Sequence, residues 1–320
     1  MSNLKIKLSF LYHCSSRLPM NIYIHDKVKN LKLRKLFDIL LIPFGLVQYC
    51  VCSIRKKQLD DYKFDLSIVT IIKNEATYID EWIRYYISIG VDHFYIYDND
   101  SNDNIESILS KYGSKVTYRK MSGKLRQLDA YNDALNRFGR YTKYFAVIDA
   151  DEFIYCTEKN HKLYPIVDEY LSKPKIGGLA VNWVIFGSSH YKNRPKGLVT
   201  DNYVYRSKID FEKNKHIKTI CNPRKVFNFS ITHHPNYLPG FYAVNEDFQR
   251  TDGSISDRVC VERIRINHYY SKSESEFLQK RKRGAGDVMN LRNLSEFAEH
   301  DKNDIYDDSL LVYNCIHKLD

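Results

Sequence analysis

Residues 66–72, LSIVTII, form a short run rich in β-branched residues, the pattern of a strand buried on both faces. The segment that follows, KNEATYIDEWIRYYISIG, places Ile79, Trp82, Ile83 and Tyr86 on one face of a helix, and Gly90 stops it. The alternation then repeats. A strand is expected at residues 93–97, a helix at 105–109, a strand at 115–119, and a strand at 143–148. Between the last two lies a helix with Leu128, Tyr131, Leu135 and Phe138 on one face. Strand and helix alternating with short connections predict an α/β fold with a mostly parallel sheet. Beyond Leu179 the alternation loses its regularity, which predicts an irregular α+β half. No internal repeat and no long Gly/Ser/Pro linker divides the chain.

The N-terminal part has a different pattern. Residues 36–54 are mostly apolar and about long enough to enter a bilayer, but Asp38, Pro43, Gly45 and Gln48 interrupt them. A spanning helix would bury Asp38 and Gln48 and break at Pro43. An interfacial or re-entrant segment fits better, with Lys32, Arg34, Lys35, Arg55, Lys56 and Lys57 reaching lipid headgroups. An ordinary buried helix capping the domain is the equal alternative. The apolar stretch at residues 8–12 is too short for a signal peptide. The sequence therefore divides into an arm, residues 1–64, and a domain, residues 65–320. That domain would have a nucleotide-binding half to about residue 155 and an acceptor half beyond it.

Charge sharpens this division. The net charge is +10 over 320 residues. Residues 1–64 hold 12 Lys/Arg against 4 Asp/Glu, and the remainder 37 against 35. The basicity belongs to the arm, so the expected partner is an anionic membrane surface, and nucleic acid is not expected. Seven scattered cysteines without a Cys-x-x-Cys pair argue against a disulfide framework or a zinc site.

Three polar clusters fall at predicted strand ends: Lys73-Asn74-Glu75, Asp98-Asn99-Asp100 and Asp149-Ala150-Asp151-Glu152. Loops are polar in any protein, which accounts for one such cluster. Three of them on the carboxyl rim of a parallel sheet describe a ligand site. Asp149 and Asp151, at i and i+2, would project from one side of an extended segment and repel each other. A hard divalent cation, Mg²⁺ or Mn²⁺, relieves that repulsion and leaves positions for phosphate oxygens.

The segments LSIVTIIKNEATYIDEWIRYYISIGVDHFYIYDNDSND, YFAVIDADEF, VNWVIFGSSH and INHYYSKSESEF resemble, in this order, the nucleotide-sugar glycosyltransferases of family 92 and their family 2-like relatives. The resemblance runs from about residue 65 to about residue 284 and implies a GT-A fold. It implies that Asp149 and Asp151 are the metal-binding DxD motif, with His268 completing the metal shell and Lys272 holding the diphosphate. Asn74, Glu75, Asp98 and Asp100 would face the nucleoside, and Gln127 would touch the donor. Glu152 is either a group that orients the ligands or an ion-pair partner. Inversion requires a general base, for which Glu246 and Asp247 are candidates. Trp183 and Phe186 are candidates for an aromatic platform under a sugar. The function implied is metal-dependent hexosyl transfer from a UDP-hexose, UDP-galactose being one candidate. The acceptor would be a cell-surface glycan or glycolipid such as lipopolysaccharide or capsule, reached from the cytoplasmic face of the membrane. The alternatives are a nucleotidyltransferase, against which the glycine-free IIKNEATYI counts, and a non-catalytic peripheral membrane scaffold.

Overall fold

The computed structural model describes residues 19–54, 61–283 and 294–319. The apolar stretch at 8–12 and the basic triplet at 55–57 lie outside them. The strands in chain order are β1 (Phe64–Ile72), β2 (His93–Asp98), β3 (Val116–Lys120), β4 (Thr142–Val147), β5 (Glu152–Cys156), β6 (Ile176–Ile185), β7 (Tyr205–Arg206), β8 (Ile217–Cys221), β9 (Val226–Phe229), β10 (Pro235–Tyr237), β11 (Tyr242–Val244), β12 (Arg250–Thr251), β13 (Ile264–His268) and β14 (Ile305–Tyr306). The helices that matter below are α1 (Pro19–Lys27), α2 (Leu31–Leu40), α3 (Ile42–Ile54), α4 (Ile79–Ser88), α5 (Ile105–Ser110), α6 (Gln127–Phe138) and α7 (Leu163–Leu171).

The fold is α/β with a mixed, mostly parallel sheet. Its path runs β12-β11-β6-β8-β4-β1-β2-β3. In the first half β3, β2, β1 and β4 are all parallel. Ile72 pairs with Asp98 and Asp98 with Lys120, so the loops after β1, β2 and β3 leave from one rim. The second half is less regular, as the sequence pattern suggested. Here β8 runs antiparallel to both β4 and β6, while β13 lies parallel to β6 and antiparallel to β5.

Alternation along the strands divides the core. On β2, Phe94 and Ile96 join Trp82 and Tyr86 of α4 and Tyr170 of α7 on one face of the sheet. Tyr95 and Tyr97 point the other way and pack with Tyr131 of α6, Phe145 and Phe229. Helices therefore cover both faces, which is why the parallel strands read as continuous apolar runs.

The described residues of the arm form three short helices, and α1 packs on α6. Asn30 caps α2, its side chain accepting from the amides of Lys32 and Leu33. Pro43 lies in the first turn of α3, where it cannot extend the hydrogen-bond ladder of α2, so the chain breaks there. Among the described residues no helix is long and apolar enough to cross a membrane. Asp38 does not interrupt an apolar face. It is buried, accepting from Asn21 at 2.6 Å and facing His25 Nε2 at 3.1 Å. The other ring nitrogen of His25 lies 3.1 Å from Asp129 of α6. Arg126 pairs with Asp129 at 3.2 Å and with Asp26 at 2.5 Å. Arg34 donates to the carbonyls of Val28 and Lys124. Three carboxylates thus face His25 and two guanidinium groups across the seam between arm and domain.

Candidate active site

The chain turns sharply after β4. Asp149, Ala150 and Asp151 do not continue an extended segment. They form the turn into β5, closed by Glu152 N donating to Asp149 O at 3.1 Å. This reversal matters because β5 pairs with β13 and sets Glu152 directly opposite His268. The Tyr269 amide then donates to Asp151 O at 2.9 Å, fixing the turn against the end of β13.

Asp149 is held by three donors. Its Oδ1 accepts from Gln127 Nε2 at 3.0 Å and from the Tyr131 hydroxyl at 3.2 Å, and its Oδ2 from Lys218 Nζ at 2.8 Å. Burial pushes the Asp149 carboxyl up, but the Lys218 ammonium outweighs it and holds it below the usual carboxylate range. Glu152 is fully buried and accepts from the Asp149 amide at 2.9 Å, with Lys218 Nζ 4.0 Å away. Burial raises it well above the usual range. Glu152 thus braces the turn through the Asp149 amide and lies beside the buried Lys218.

Asp151 faces the other way. Its Oδ2 accepts from Lys280 Nζ at 2.5 Å, and its Oδ1 lies 3.6 Å from His268 Nε2. Burial opposes its ionisation, yet Lys280 and then His268 hold it well below the ordinary carboxylate range. Burial lowers His268, which favours its neutral, ligating form. Among the described residues no three His, Cys, Asp or Glu side chains converge as a metal-binding group; lysines neutralise both aspartates instead. The residues nevertheless fit a divalent cation at Asp151 and His268. Ligands of Mg²⁺ lie roughly 2.1 Å from the ion, so two of them are at most about 4.2 Å apart, and the 3.6 Å separation falls within that. His268 Nδ1 and Glu152 Oε1 are both buried without a hydrogen-bond partner, marks of a site whose polar groups are not all satisfied by protein.

The remaining candidates separate clearly. Trp183 stands at this rim, its ring 4.3 Å from His268, stacked on His216 at 5.1 Å and edge-on to His233 at 5.3 Å. Phe186 is no platform: three positions along, its ring falls on the opposite side of the chain, is buried in the core and packs on Tyr269 at 4.9 Å. Lys272, with φ of 50°, lies over the ring of Tyr78 at 4.2 Å, where Arg194 also approaches at 5.1 Å.

Asn74, Asp98 and Asp100 knit the three rim loops together. Asn74 Oδ1 accepts from the Asn102 amide, Asp98 from the Ser101 amide and the Tyr118 hydroxyl, and Asp100 from the Gly123 amide. Asn74 and Asp100 both have left-handed backbone, the kind of strain that collects at functional loops. Glu75 is buried, and its carbonyl accepts from the amides of Tyr78 and Ile79 to start α4.

Glu246 is not available as a base. Its carboxylate accepts from the amides of Glu262, Arg263 and Ile264 at 2.7, 2.9 and 3.0 Å, at the opposite end of β13 from His268. Asp247 pairs with Arg258 on the exposed loop between β11 and β12, and β11 is three strands from β4.

Sequence reasoning missed Tyr131, Lys218, Lys280, His216 and His233. Two had a signal. Tyr131 follows Gln127 by four residues, one helical turn, and Lys218 is the single charge in the apolar strand IKTIC. Lys280 had none among the basic residues of its helix.

The model of glycosyltransferase family 92 matches residues 66–297. A family 92 protein of Oryza sativa subsp. japonica is 30% identical over 185 residues, covering 56% of this chain and 31% of the relative. One from Ricinus communis is 27% identical over 189 residues, covering 57% and 33%. The chain thus spans about a third of the length of the curated relatives it matches. Among solved structures, S. aureus TarS shares 15% identity at a TM-score of 0.32, covering 50% of this chain and 47% of that one. Glucosyl-3-phosphoglycerate synthase from Mycobacterium tuberculosis, in complex with Mn²⁺ and UDP, shares 18% at 0.25, covering 38% and 44%. With the family match extending over most of the sheet and all of the turn at residues 149–151, the chain belongs to glycosyltransferase family 92.

Proposed function

We propose that this protein transfers a hexose from a nucleotide sugar to a glycan, with a divalent cation held by Asp151 and His268. The observation that supports this most is the Asp151–His268 pair, set beside Trp183 at the rim where the parallel strands end. The donor proposed is a UDP-hexose, with UDP-galactose a candidate. The acceptor proposed is a cell-surface glycan or glycolipid of the lipopolysaccharide or capsule kind, reached from the cytoplasmic face. Membership of a glycosyltransferase family weighs against both the nucleotidyltransferase and the scaffold.

When bound, Mn²⁺ or Mg²⁺ would act as a Lewis acid on the departing diphosphate. The chain's own residues supply the rest. Gln127, Tyr131 and Lys218 hold Asp149 in one orientation, so that side chain need not reorient when the donor arrives. Asn74, Asp98 and Asp100 would shape the nucleoside pocket. Lys272 and Lys280 would offset diphosphate charge, Lys280 moving off Asp151 to do so. Trp183 would pack on the sugar. Transfer is proposed to invert the anomeric carbon, and neither Glu246 nor Asp247 is assigned as base.

The test is donor hydrolysis across UDP-, GDP- and CMP-sugars, with Mn²⁺ and with chelator, beside a thermal-shift titration of Mn²⁺ and UDP. Asp151→Asn should abolish both hydrolysis and the Mn²⁺-dependent stabilisation by UDP while the apo protein stays folded. Full hydrolysis in excess chelator would sink the metal assignment.

A further inference from the structure

The helix α2 is turned inside out. In a soluble protein the apolar stripe of a surface helix faces the core and the charges face water. Here Arg34 and Asp38, four residues apart, are 7% and 4% exposed against the domain. The apolar stripe of the same helix faces outward: Leu36 is 50% and Ile39 53% exposed, with Leu33 and Leu40 beside them. The outward face continues on α3, where Phe44 is 66% exposed and Val47 63%. Six large apolar side chains within two adjoining helices make a contiguous patch of the kind that marks an interaction site.

The surrounding charge identifies the partner. Lys27, Lys29, Lys32 and Lys35 are all exposed on α1, α2 and the turn between them. The two carboxylates of these helices are engaged elsewhere, Asp26 with Arg126 and Asp38 with His25. The outer surface is therefore apolar and predominantly basic, its one exposed carboxylate, Asp26, already paired with Arg126. We infer that this face of α2 and α3 seats on an anionic lipid bilayer, the apolar side chains entering the interface and the lysines meeting headgroups. Helices of ten and thirteen residues suit lying in that interface. The seam of His25, Asp38, Arg126 and Asp129 makes the seat rigid, since it joins directly to α6, whose Gln127 holds Asp149. The domain would thus present its donor rim to the membrane at a fixed angle. This goes beyond the transferase reading, and vesicle binding tests it whether or not any donor is hydrolysed.

The experiment is flotation of the full chain with vesicles of phosphatidylcholine alone and with added phosphatidylglycerol. Binding is expected to be strong only with the anionic lipid. Lys32→Ala with Lys35→Ala should weaken it by roughly fivefold per lysine removed. Leu36→Glu with Phe44→Glu should abolish it, with unchanged donor hydrolysis in solution and an unchanged unfolding temperature. Native-like flotation of that double variant would overturn the inference. So would light scattering showing that the double substitution turns a dimer into a monomer, which would make the occupant a second copy. A fall in unfolding temperature without vesicles would overturn it too, because another part of the chain would then cover the face.

Discussion

Removing the Asp38 carboxylate should unlock the arm from the domain. In the folded protein this group accepts from Asn21 at 2.6 Å and lies 3.1 Å from His25, and it is 4% exposed. Asp38→Ala leaves Asn21 Nδ2 and one face of a buried imidazole without partners. It also leaves His25, Arg34 and Arg126 facing only Asp26 and Asp129. Breaking a buried pair by deleting one partner costs about 3–5 kcal/mol, because the survivor stays desolvated. In a protein of this size that corresponds to a fall of roughly 5–7 °C in Tm. Thermal unfolding of the variant measures it, and a double-mutant cycle with His25→Gln shows whether the two side chains act as one unit. A segment lying free of the domain behaves differently. There Asp38 is an isolated acid in an apolar run, and its loss leaves Tm unaltered while tightening vesicle binding. An unchanged Tm together with independent effects of the two substitutions would refute the buried seam. By the same argument, a chain starting at Asp61 keeps the buried Arg126–Asp129 pair but loses its arm partners, Asp26 and His25, and should be less stable than the whole.

Two further outcomes follow from individual groups. Burial alone would lower His25, but hydrogen bonds to Asp129 and then Asp38 outweigh it and raise it above the ordinary 6.5. Its contribution is therefore complete below pH 6.5 and fades as pH climbs through the raised value. Hydrogen exchange in α1 and α2 should speed up over that window, and His25→Gln should flatten the profile; the opposite slope would show a neutral histidine in the seam. Glu246→Gln replaces a carboxylate that grips three amides with a group offering one acceptor oxygen, at a cost of about 1–3 kcal/mol. Turnover per folded molecule should hold, and a collapse of kcat with stability intact would restore Glu246 as the base.

The half of the sheet built from β1 to β4 was legible because local rules and tertiary demands agree there. Each parallel strand is covered on both faces, so its residues are apolar throughout, and the predicted strand at residues 143–148 lies one position from the observed Thr142–Val147. The acids after it could be found because closely spaced carboxylates at the end of an apolar strand repel unless a ligand or counter-ion stands between them. Their conformation could not, since the turn is dictated by β5 pairing with β13 more than a hundred residues later. Phe186 was misread for a different reason. Once the strand is known to run to Ile185, residues 183 and 186 cannot share a face, but nothing local marks where an irregular strand ends.

The arm shows where reading by periodicity fails in principle. The stripe of Leu33, Leu36, Ile39 and Leu40 is visible in the sequence, and the ordinary rule turns it toward the core. Which face of an amphipathic helix goes inward depends on what waits inside. Here the domain presents Arg126 and Asp129 rather than an apolar groove, and His25 brings a second charge from α1. Given those partners, burying Asp38 gives His25 a counter-charge, and burying Arg34 gives the Val28 and Lys124 carbonyls a donor. The apolar stripe is left outside because no apolar surface is offered to it. The decisive residues lie 104 positions apart, so no window of sequence contains the choice. A helix docked by its charged face has only its apolar face to offer its surroundings, and apolar surface left in water is costly until something covers it.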